Sequence, residues 1–269
     1  AAGCAAGWRR EGRGAGPANA MANCPGAFPV SAVIDAQPAG QVSSVFWRRL
    51  SALLVALAAL LLMLFGGRLL LAGIADYQAE AFLTAWESAG TEPDERAWTI
   101  AHDAAQRAID LYPVADGERL DRLGRIYSWQ QFRQPYASPS ALSSRESALD
   151  AYRASLSARP AWPDTWARLA HAKLYLQAFD DEFANALKQA FALGPWRIAV
   201  NRELAQIGLI AWPRLTPEQQ QATLESARRV AVYSAGEAQQ LLKLAAQTGT
   251  LQQVCGVLES DKPAVECLQ

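Results

Sequence analysis

The sequence predicts an all-α protein in which one N-terminal transmembrane helix is followed by a solenoid of helical hairpins. Three observations support this prediction. Ala, Leu, Gln, Arg and Glu are abundant while β-branched residues are scarce beyond residue 45, which favours helix over strand. One long uncharged segment lies near the N-terminus, and three later segments repeat the same spacing of small and apolar residues before a proline.

Charge and cysteine content argue against two classes of function. The formal net charge is −1, and the chain lacks the basic stripe or patch that a nucleic-acid surface needs. The four cysteines fit no zinc-binding spacing such as a CxxC pair. We therefore expect neither a nucleic-acid partner nor a structural zinc site.

Residues 1–46 are expected to be a disordered cytoplasmic N-terminus or the product of an over-extended gene start. The first 20 residues are rich in Gly, Ala and Arg, without periodicity or an initiating Met, and Met21 is the first plausible start. Cys4 and Cys24 lie in this part of the chain, and no function is assigned to them.

Residues 47–75 are predicted to be a transmembrane signal anchor. As a helix, the uncharged run Leu50–Gly67 is roughly 27 Å long, close to a hydrocarbon core of about 30 Å. Arg68 can reach the far interface with its long side chain, and Leu69–Ala75 extends the apolar run. Large apolar residues on every face argue against a buried core helix. The length of the run and the position of Arg68 argue against a cleaved signal peptide.

The flanking charges predict the orientation of this anchor. Arg48 and Arg49 immediately precede the uncharged run, whereas acidic residues, beginning with Asp76 and Glu80, dominate after it. The positive-inside rule then places the N-terminus in the cytoplasm. Residues 76–269 are expected to form a helical domain on the far side of the membrane.

Three segments of this domain have the pattern of the second helix of a tetratricopeptide repeat. They end at Pro113, Pro160 and Pro195, and each has small or apolar residues five, eight and twelve positions before its proline. These positions share one face of a helix that stops before the proline, where small residues allow close packing. The residues are Ala108, Ala105 and Ala101, then Ser155, Tyr152 and Ala148, then Ala190, Leu187 and Phe183.

A first helix is expected after each of these prolines. Leu120, Leu123, Gly124 and Tyr127 reproduce the W-x2-L-G-x2-Y spacing of the repeat, with Leu in place of Trp. A small residue follows the second position of each set, where two helices must approach closely. The two corresponding sets are Trp166, Leu169, Ala170 and Lys173, and Asn201, Leu204, Ala205 and Gly208.

The spacing of the prolines also predicts an insertion. Pro160 and Pro195 are separated by about the 34 residues of a tetratricopeptide repeat, whereas Pro113 and Pro160 are further apart. The excess falls in residues 130–144, a polar, Pro- and Ser-rich stretch that we expect to be a loop between the two helices of one repeat. The alternative is a set of unrelated helical hairpins whose prolines coincide.

Atypical closing helices are expected at the C-terminal end of the solenoid. Thr216 and Pro217 form a good helix start, and the helices are expected to run to about Val232, then over Glu237–Gln247 and Leu251–Leu258.

Cys255 and Cys267 form a possible disulfide. They lie on the last predicted helix and in the tail that follows it, in a compartment that permits such bonds. The alternative is one buried thiol and one idle thiol.

One part of the domain resembles a known family. The segments that carry this resemblance are RESALDAYRASLSARPAWPDTWARLAHAKL, FDDEFANALKQAFALGPWRIAV and GLIAWPRL. They are similar to the VpsP family of polysaccharide biosynthesis proteins, small bacterial inner-membrane proteins with one N-terminal span and a tetratricopeptide-like domain. The resemblance covers roughly residues 48–258 and is most specific over Arg145–Leu215. It implies a role in making or exporting a surface polysaccharide, in the periplasm of a Gram-negative bacterium and alongside a polymerase.

The candidate partner-binding residues are first-helix positions that face the concave groove in this type of repeat. Their mixed polarity suits a peptide or protein tail as well as a sugar. They are Asp121, Arg125, His171, Arg202 and Gln206.

No catalytic, cofactor-binding or metal-binding residue is predicted. The sequence contains no GxSxG, HExxH, P-loop or nucleotide-binding fingerprint. His102 and His171 belong to a second and a first helix, so we do not expect them to share a metal. Asp180, Asp181 and Glu182 suggest paired carboxylates for glycoside chemistry, but they lie where a helix begins and their charge suits the helix dipole.

Together with the resemblance, these features predict a non-catalytic adaptor in bacterial surface or exopolysaccharide biosynthesis or export. Its expected partners are the inner membrane and the membrane proteins that polymerise or export the polysaccharide. One alternative is a glycan-binding module that stacks sugars on Trp162, Trp166, Trp196 and Trp212, although packing between helices is the commoner use of such residues. Others are a general tetratricopeptide assembly factor and a degenerate hydrolase or transferase.

Overall fold

The computed structural model describes residues 41–261, with side chains from 45 to 258, and every regular element in that range is helical. This confirms the all-α prediction. The helices are α1 Gln41–Ala89, α2 Glu95–Leu111, α3 Gly117–Trp129, α4 Leu142–Ala158, α5 Pro163–Leu176, α6 Asp181–Leu193, α7 Ile198–Ile210, α8 Pro217–Tyr233, α9 Ala235–Thr248 and α10 Leu251–Asp261. Short 3-10 turns occupy Pro139–Ala141 and Trp212–Arg214.

The chain separates into two units, residues 1–54 and 55–269. The predicted N-terminal segment 1–46 lies largely outside the described residues. Its described end, from Gln41, forms the beginning of α1. The structure does not test the predicted domain bounds, which stay predictions.

Helix α1 contains a segment, Val45–Ala89, that is long and apolar enough to cross a membrane. None of its most apolar window is buried inside the protein, and the side chains of Leu62 and Met63 are 73% and 76% exposed. An apolar surface of this size is unusual on a protein surrounded by water. By length and composition, α1 is therefore a candidate membrane span.

The C-terminal part of α1 belongs to the helical domain. Ala72 and Ala75, within the apolar run that the sequence assigned to the span, are buried. The guanidinium of Arg68 donates a hydrogen bond to the backbone carbonyl of Asp110, at 3.2 Å, near the end of α2. The side chain of Arg68 therefore contacts the domain, whereas the sequence suggested that it reaches the membrane interface.

The helices after α1 form antiparallel hairpins, as the sequence predicted. The closest pairs are α3 with α4, α5 with α6 and α7 with α8, and α5 also packs against α7. Each of the nine second-helix residues predicted from the proline spacing is at most 8% exposed. Small or apolar residues at these positions let neighbouring hairpins stack, and the result is a helical solenoid.

Glycines occupy two of the closest helix contacts. A Cβ atom at Gly124 would lie 2.5 Å from the ring of Tyr152 on α4, and one at Gly208 would lie 2.1 Å from Oγ1 of Thr223 on α8. A real Cβ is essentially never this close to another heavy atom, so both positions need glycine for the observed approach of the helices.

The predicted loop insertion is present between α3 and α4, although it is shorter than expected. Residues Leu142–Ser144, which the sequence placed in the loop, already form the first turn of α4. Arg145 holds the loop in place, because its guanidinium donates to the carbonyls of Gln134 at 2.7 Å and of Pro135 at 2.9 Å. This arginine therefore has a structural role that the sequence did not suggest.

The closing helices α8, α9 and α10 lie where the sequence predicted them, to within three residues. Thr216 and Gln219 form a capping box at the start of α8. Cys255 is buried on α10 and is disulfide-bonded. Cys267 lies outside the described residues, so its pairing with Cys255 stays a prediction.

Candidate functional site

The first helices of the hairpins, α3, α5 and α7, line a groove with a volume of 520 Å³. Glu87 in the last turns of α1 also lines it, as do residues of α4. This surface is called the groove below. Its main side chains are Arg125, Trp129, Tyr152, His171, Tyr175 and Gln206.

Three of the five predicted partner-binding residues come together in the groove. Arg125 lies on α3, His171 on α5 and Gln206 on α7, so each of the three hairpins contributes one of them. Gln206 is exposed, and the other two are half-buried. Their convergence across long stretches of sequence is the arrangement expected for the inner face of a helical solenoid.

The other two predicted residues are engaged elsewhere. Asp121 is 6% exposed, and its carboxylate accepts hydrogen bonds from Thr165 at 2.8 Å and from Arg168 at 2.6 Å. Arg202 is exposed and forms an ion pair with Glu237 on α9. Asp121 therefore links α3 to α5, and Arg202 links α7 to α9. Their roles in partner binding stay predictions.

Ion pairs join α1 to the wall of the groove. The guanidinium of Arg125 lies 3.1 Å from the carboxylate of Glu80 and 2.6 Å from that of Glu87, both on α1. Arg122, one helical turn earlier on α3, binds Glu80 at 2.7 Å and also pairs with Asp76. Charge-assisted bonds of this kind are short and directional, so they hold the candidate membrane helix against α3.

The aromatic rings of the groove are partly covered by neighbouring side chains. The ring of Tyr175 stacks on His171, with centroids 5.1 Å apart, and the guanidinium of Arg145 lies 4.9 Å from its centroid. Trp129 contacts Phe132 at 4.8 Å and Trp86 at 6.2 Å between centroids. Stacking on a sugar requires an open ring face, and these neighbours reduce the face that each ring presents.

The polar groups of the groove are arranged for hydrogen bonding. Nδ1 of His171 lies 3.1 Å from a carboxylate oxygen of Glu203, and its Nε2 is buried with no hydrogen-bond partner among the described residues. The hydroxyl of Ser128 is bonded to the hydroxyl of Tyr152 at 2.9 Å. Burial raises the pKa of the Tyr152 hydroxyl, so it stays neutral at physiological pH.

The acidic cluster at the start of α6 serves the structure of the helix, as the sequence predicted. Asp180 caps α6 by accepting a hydrogen bond from the backbone N–H of Phe183 at 3.0 Å. Lys173 donates to Asp180 and lies 2.7 Å from Glu182. Hydrogen bonds from Arg153, together with Lys173, lower the pKa of Glu182 to about 2, so this carboxylate is ionised and not poised as a general acid.

The two histidines lie at separate sites. His102 on α2 stacks on Trp98, and its Nε2 is 2.9 Å from the hydroxyl of Tyr127. Among the described residues, no group of three or more His, Cys, Asp or Glu side chains is placed to hold a metal ion.

Three of the four tryptophans considered as sugar platforms are packed. The ring of Trp162 lies 4.0 Å from the guanidinium of Arg159, and the indole N–H of Trp166 donates to the carbonyl of Pro160 at 2.7 Å. Trp212 packs against the core formed around α9. Trp196 is different, since it is 91% exposed. It lies in the turn between α6 and α7 and does not line the groove.

Sequence reasoning missed several groove residues, although a signal was present. Trp129 follows Arg125 by four positions and Tyr175 follows His171 by four, which is the spacing of neighbours on one helix face. Extending each predicted groove position by one turn would have found both aromatic residues. Arg145 on α4 has no comparable signal, because its place in the groove depends on the course of the loop before it.

Comparison with known proteins adds no relative. The chain matches no protein-family model, and no curated protein shows significant sequence similarity to it.

Proposed function

We propose that this chain is a non-catalytic, membrane-anchored adaptor that acts in making or exporting a bacterial surface polysaccharide. In this proposal, α1 crosses the inner membrane with its N-terminus in the cytoplasm, and the helical domain lies in the periplasm. The groove binds a segment of a membrane protein of the polymerase or export machinery. The resemblance to the VpsP family supplies the pathway, and the groove supports the mode of action.

The observation that carries the proposal is the chemistry of the groove. Its rings stack on other groups of the protein, and the open surface combines partly covered apolar side chains with hydrogen-bonding and charged groups. A peptide segment satisfies such a surface with its backbone amides and with one or two apolar side chains. The exposed amide of Gln206 offers both donors and an acceptor to such a segment.

The ion pairs between α1 and α3 support the adaptor role in a second way. They connect the candidate span to the groove wall through Arg122 and Arg125. A groove that is held close to the bilayer meets a membrane partner at a high effective concentration, so a modest intrinsic affinity is sufficient.

Reporter fusions test the orientation of the chain. A reporter that is active only in the periplasm should be active when it is fused after Leu111 or after Gly194, and inactive when it is fused before Arg48. The physical reason is that Arg48 and Arg49 hold the N-terminal side of the run in the cytoplasm. The reverse pattern of activity would place the groove in the cytoplasm and remove the proposed partners from its reach.

Site-specific photo-crosslinking in living cells tests the role of the groove. A photoreactive side chain at Gln206 should form adducts with a membrane protein of polysaccharide polymerisation or export, identified by mass spectrometry. The matched control is the same side chain at Glu146, which is exposed on the second helix α4 and does not line the groove. We expect no such adduct from the control position.

The outcomes separate the alternatives. An adduct at Gln206 that contains oligosaccharide and no protein would favour a glycan-binding module. A partner from outside polysaccharide pathways would favour a general assembly factor. Equal adducts at both positions, or none at Gln206, would contradict partner binding in the groove.

A further inference from the structure

The direction of the chain places all turns from a second helix to the next first helix on one edge of the solenoid. The part of α1 that follows Arg68 leads away from the uncharged run Leu50–Gly67. Helix α2 runs back antiparallel to this part of α1. The hydrogen bond between Arg68 and the carbonyl of Asp110 places the end of α2 beside the end of the uncharged run. The turn that follows, residues 112–116, therefore lies at the point where α1 leaves the candidate span.

The later turns continue the same edge through direct contacts. Ser155, near the end of α4, donates to the carbonyl of Gly117 at the start of α3, at 2.6 Å. Arg197, at the start of α7, lies 2.9 Å from the carboxylate of Asp164 at the start of α5. Arg202, in the second turn of α7, pairs with Glu237 in the first turn of α9, just after the end of α8. The turns 112–116, 159–162, 194–197 and the end of α8 therefore form one continuous surface, called the proximal edge below.

Large apolar side chains are exposed on the proximal edge. Trp196 is 91% exposed, Tyr233 at the end of α8 is 66% exposed and Val114 is 65% exposed. Leu193, the last residue of α6, is 40% exposed. A tryptophan with this exposed fraction contributes little buried area to the solenoid, and its position on one edge with Tyr233 and Val114 indicates an interaction surface.

We propose that the proximal edge rests on the surface of the same lipid bilayer that α1 crosses, with Trp196 and Tyr233 in the headgroup region. This inference rests on the membrane insertion of α1 that the proposed function includes. The occupant is lipid because the edge adjoins the point at which α1 emerges from its apolar run. Tryptophan and tyrosine combine an apolar ring with a polar tip, and they are enriched at membrane interfaces for that reason.

Paired charges on the edge make the proposal more specific. Arg197 pairs with Asp164, and Arg159 lies 3.6 Å from Glu118. Since these basic groups already have acidic partners, attraction to anionic lipids is not the main source of binding. We therefore expect the edge to contact neutral phosphatidylcholine membranes as well as acidic ones. A solenoid held in this way keeps its groove within about 20 Å of the bilayer, the length of a first helix such as α3.

Quenching of tryptophan fluorescence by brominated lipid tests the contact. The full chain is reconstituted into nanodiscs of phosphatidylcholine with ordinary or brominated acyl chains, and the fluorescence ratio between the two is measured. Trp196→Phe should remove part of the quenching that the unmodified chain shows. The reason is that the fluorescence lost to bromine in the unmodified chain includes that of Trp196. An unchanged ratio would contradict the proposal.

A pair of added tryptophans supplies the matched comparison. In the Trp196→Phe background, Tyr233→Trp introduces a reporter on the proximal edge, and Tyr136→Trp introduces one in the loop between α3 and α4 at the opposite edge. Quenching should increase with the first substitution and not with the second. Equal quenching of both reporters would show that the solenoid lies flat or tumbles freely, and would overturn the proposal.

Trp47, which is separated from the uncharged run by Arg48 and Arg49, distinguishes failure of this inference from failure of the anchor. If α1 spans the bilayer, Trp47→Phe should reduce quenching whatever the proximal edge does. Quenching at Trp47 with none at Trp196 would reject only the edge contact. Absence of quenching at both positions would reject membrane insertion, and with it the basis of both proposals.

Discussion

Replacing Asp121 with alanine should lower the free energy of unfolding by about 3 kcal/mol, the lower end of the range for breaking a buried ion pair. The carboxylate of Asp121 accepts hydrogen bonds from Arg168 at 2.6 Å and from Thr165 at 2.8 Å, so it joins α3 to α5. Without it, the guanidinium of Arg168 loses its carboxylate partner while its side chain stays only 27% exposed. The lower end of the range applies because this partial exposure lets water solvate part of the charge.

The measurement is denaturant unfolding of the full chain in nanodiscs, followed by circular dichroism. Asp150→Ala is the matched control, because Asp150 also pairs with an arginine, Arg153, but its side chain is 73% exposed. Exposed pairs contribute about 0–1 kcal/mol, so the control should change stability little. The double substitution Asp121→Leu with Arg168→Met should recover much of the loss, since it removes both charges. Equal effects at Asp121 and Asp150 would contradict a buried, structural role for Asp121.

Replacing Gly208 with alanine should destabilise the protein by about 1–3 kcal/mol, the cost of overpacking a tight contact. Helix propensity alone predicts the opposite sign, because alanine is a better helix former than glycine by about 1 kcal/mol. The steric effect is larger, since the new methyl group would lie 2.1 Å from Oγ1 and 2.4 Å from Cγ2 of Thr223. Both atoms belong to a short, branched side chain on α8 that cannot move away without shifting the helix.

Gly256→Ala provides the matched control for this prediction. Gly256 lies within α10, and a Cβ there would meet nothing within 4 Å. The same substitution should therefore stabilise the protein by about 0.4–1 kcal/mol. Adding Thr223→Ala to Gly208→Ala should restore part of the lost stability, because the two closest atoms are then absent. If both glycine variants shifted the unfolding midpoint in the same direction, close approach of α7 and α8 would not be the reason for glycine at position 208.

Local sequence patterns were sufficient to predict most of the solenoid. The spacing of small or apolar residues before Pro113, Pro160 and Pro195 predicted three second helices. The residues that define this spacing are all buried. Thr216 and Pro217 predicted the start of α8, where the structure shows a capping box. The repeat pattern of the first helices placed Arg125, His171 and Gln206 on a common face, and the structure brings them together. Each of these inferences depends on neighbours within one or two helical turns, which the order of residues specifies directly.

Tertiary structure alone decided which groups pair across the solenoid. Asp121 has a groove position by spacing, yet it is buried because Thr165 and Arg168 of the next hairpin reach it. Arg202 has the same spacing and instead pairs with Glu237 on α9. Nothing in the local sequence distinguishes Asp121 from Arg202.

The sequence by itself determined the helices, their hairpin order, the candidate span and the face that forms the groove. Only the tertiary structure decided that Arg68 binds the end of α2, that the ring of Tyr175 stacks on His171, and that Trp196 and Tyr233 are exposed along one edge. The physical reason is the range of the interactions. Helix formation and capping act over a few residues, whereas side-chain partners and exposed edges depend on how successive hairpins stack, which brings together residues that are far apart in the chain.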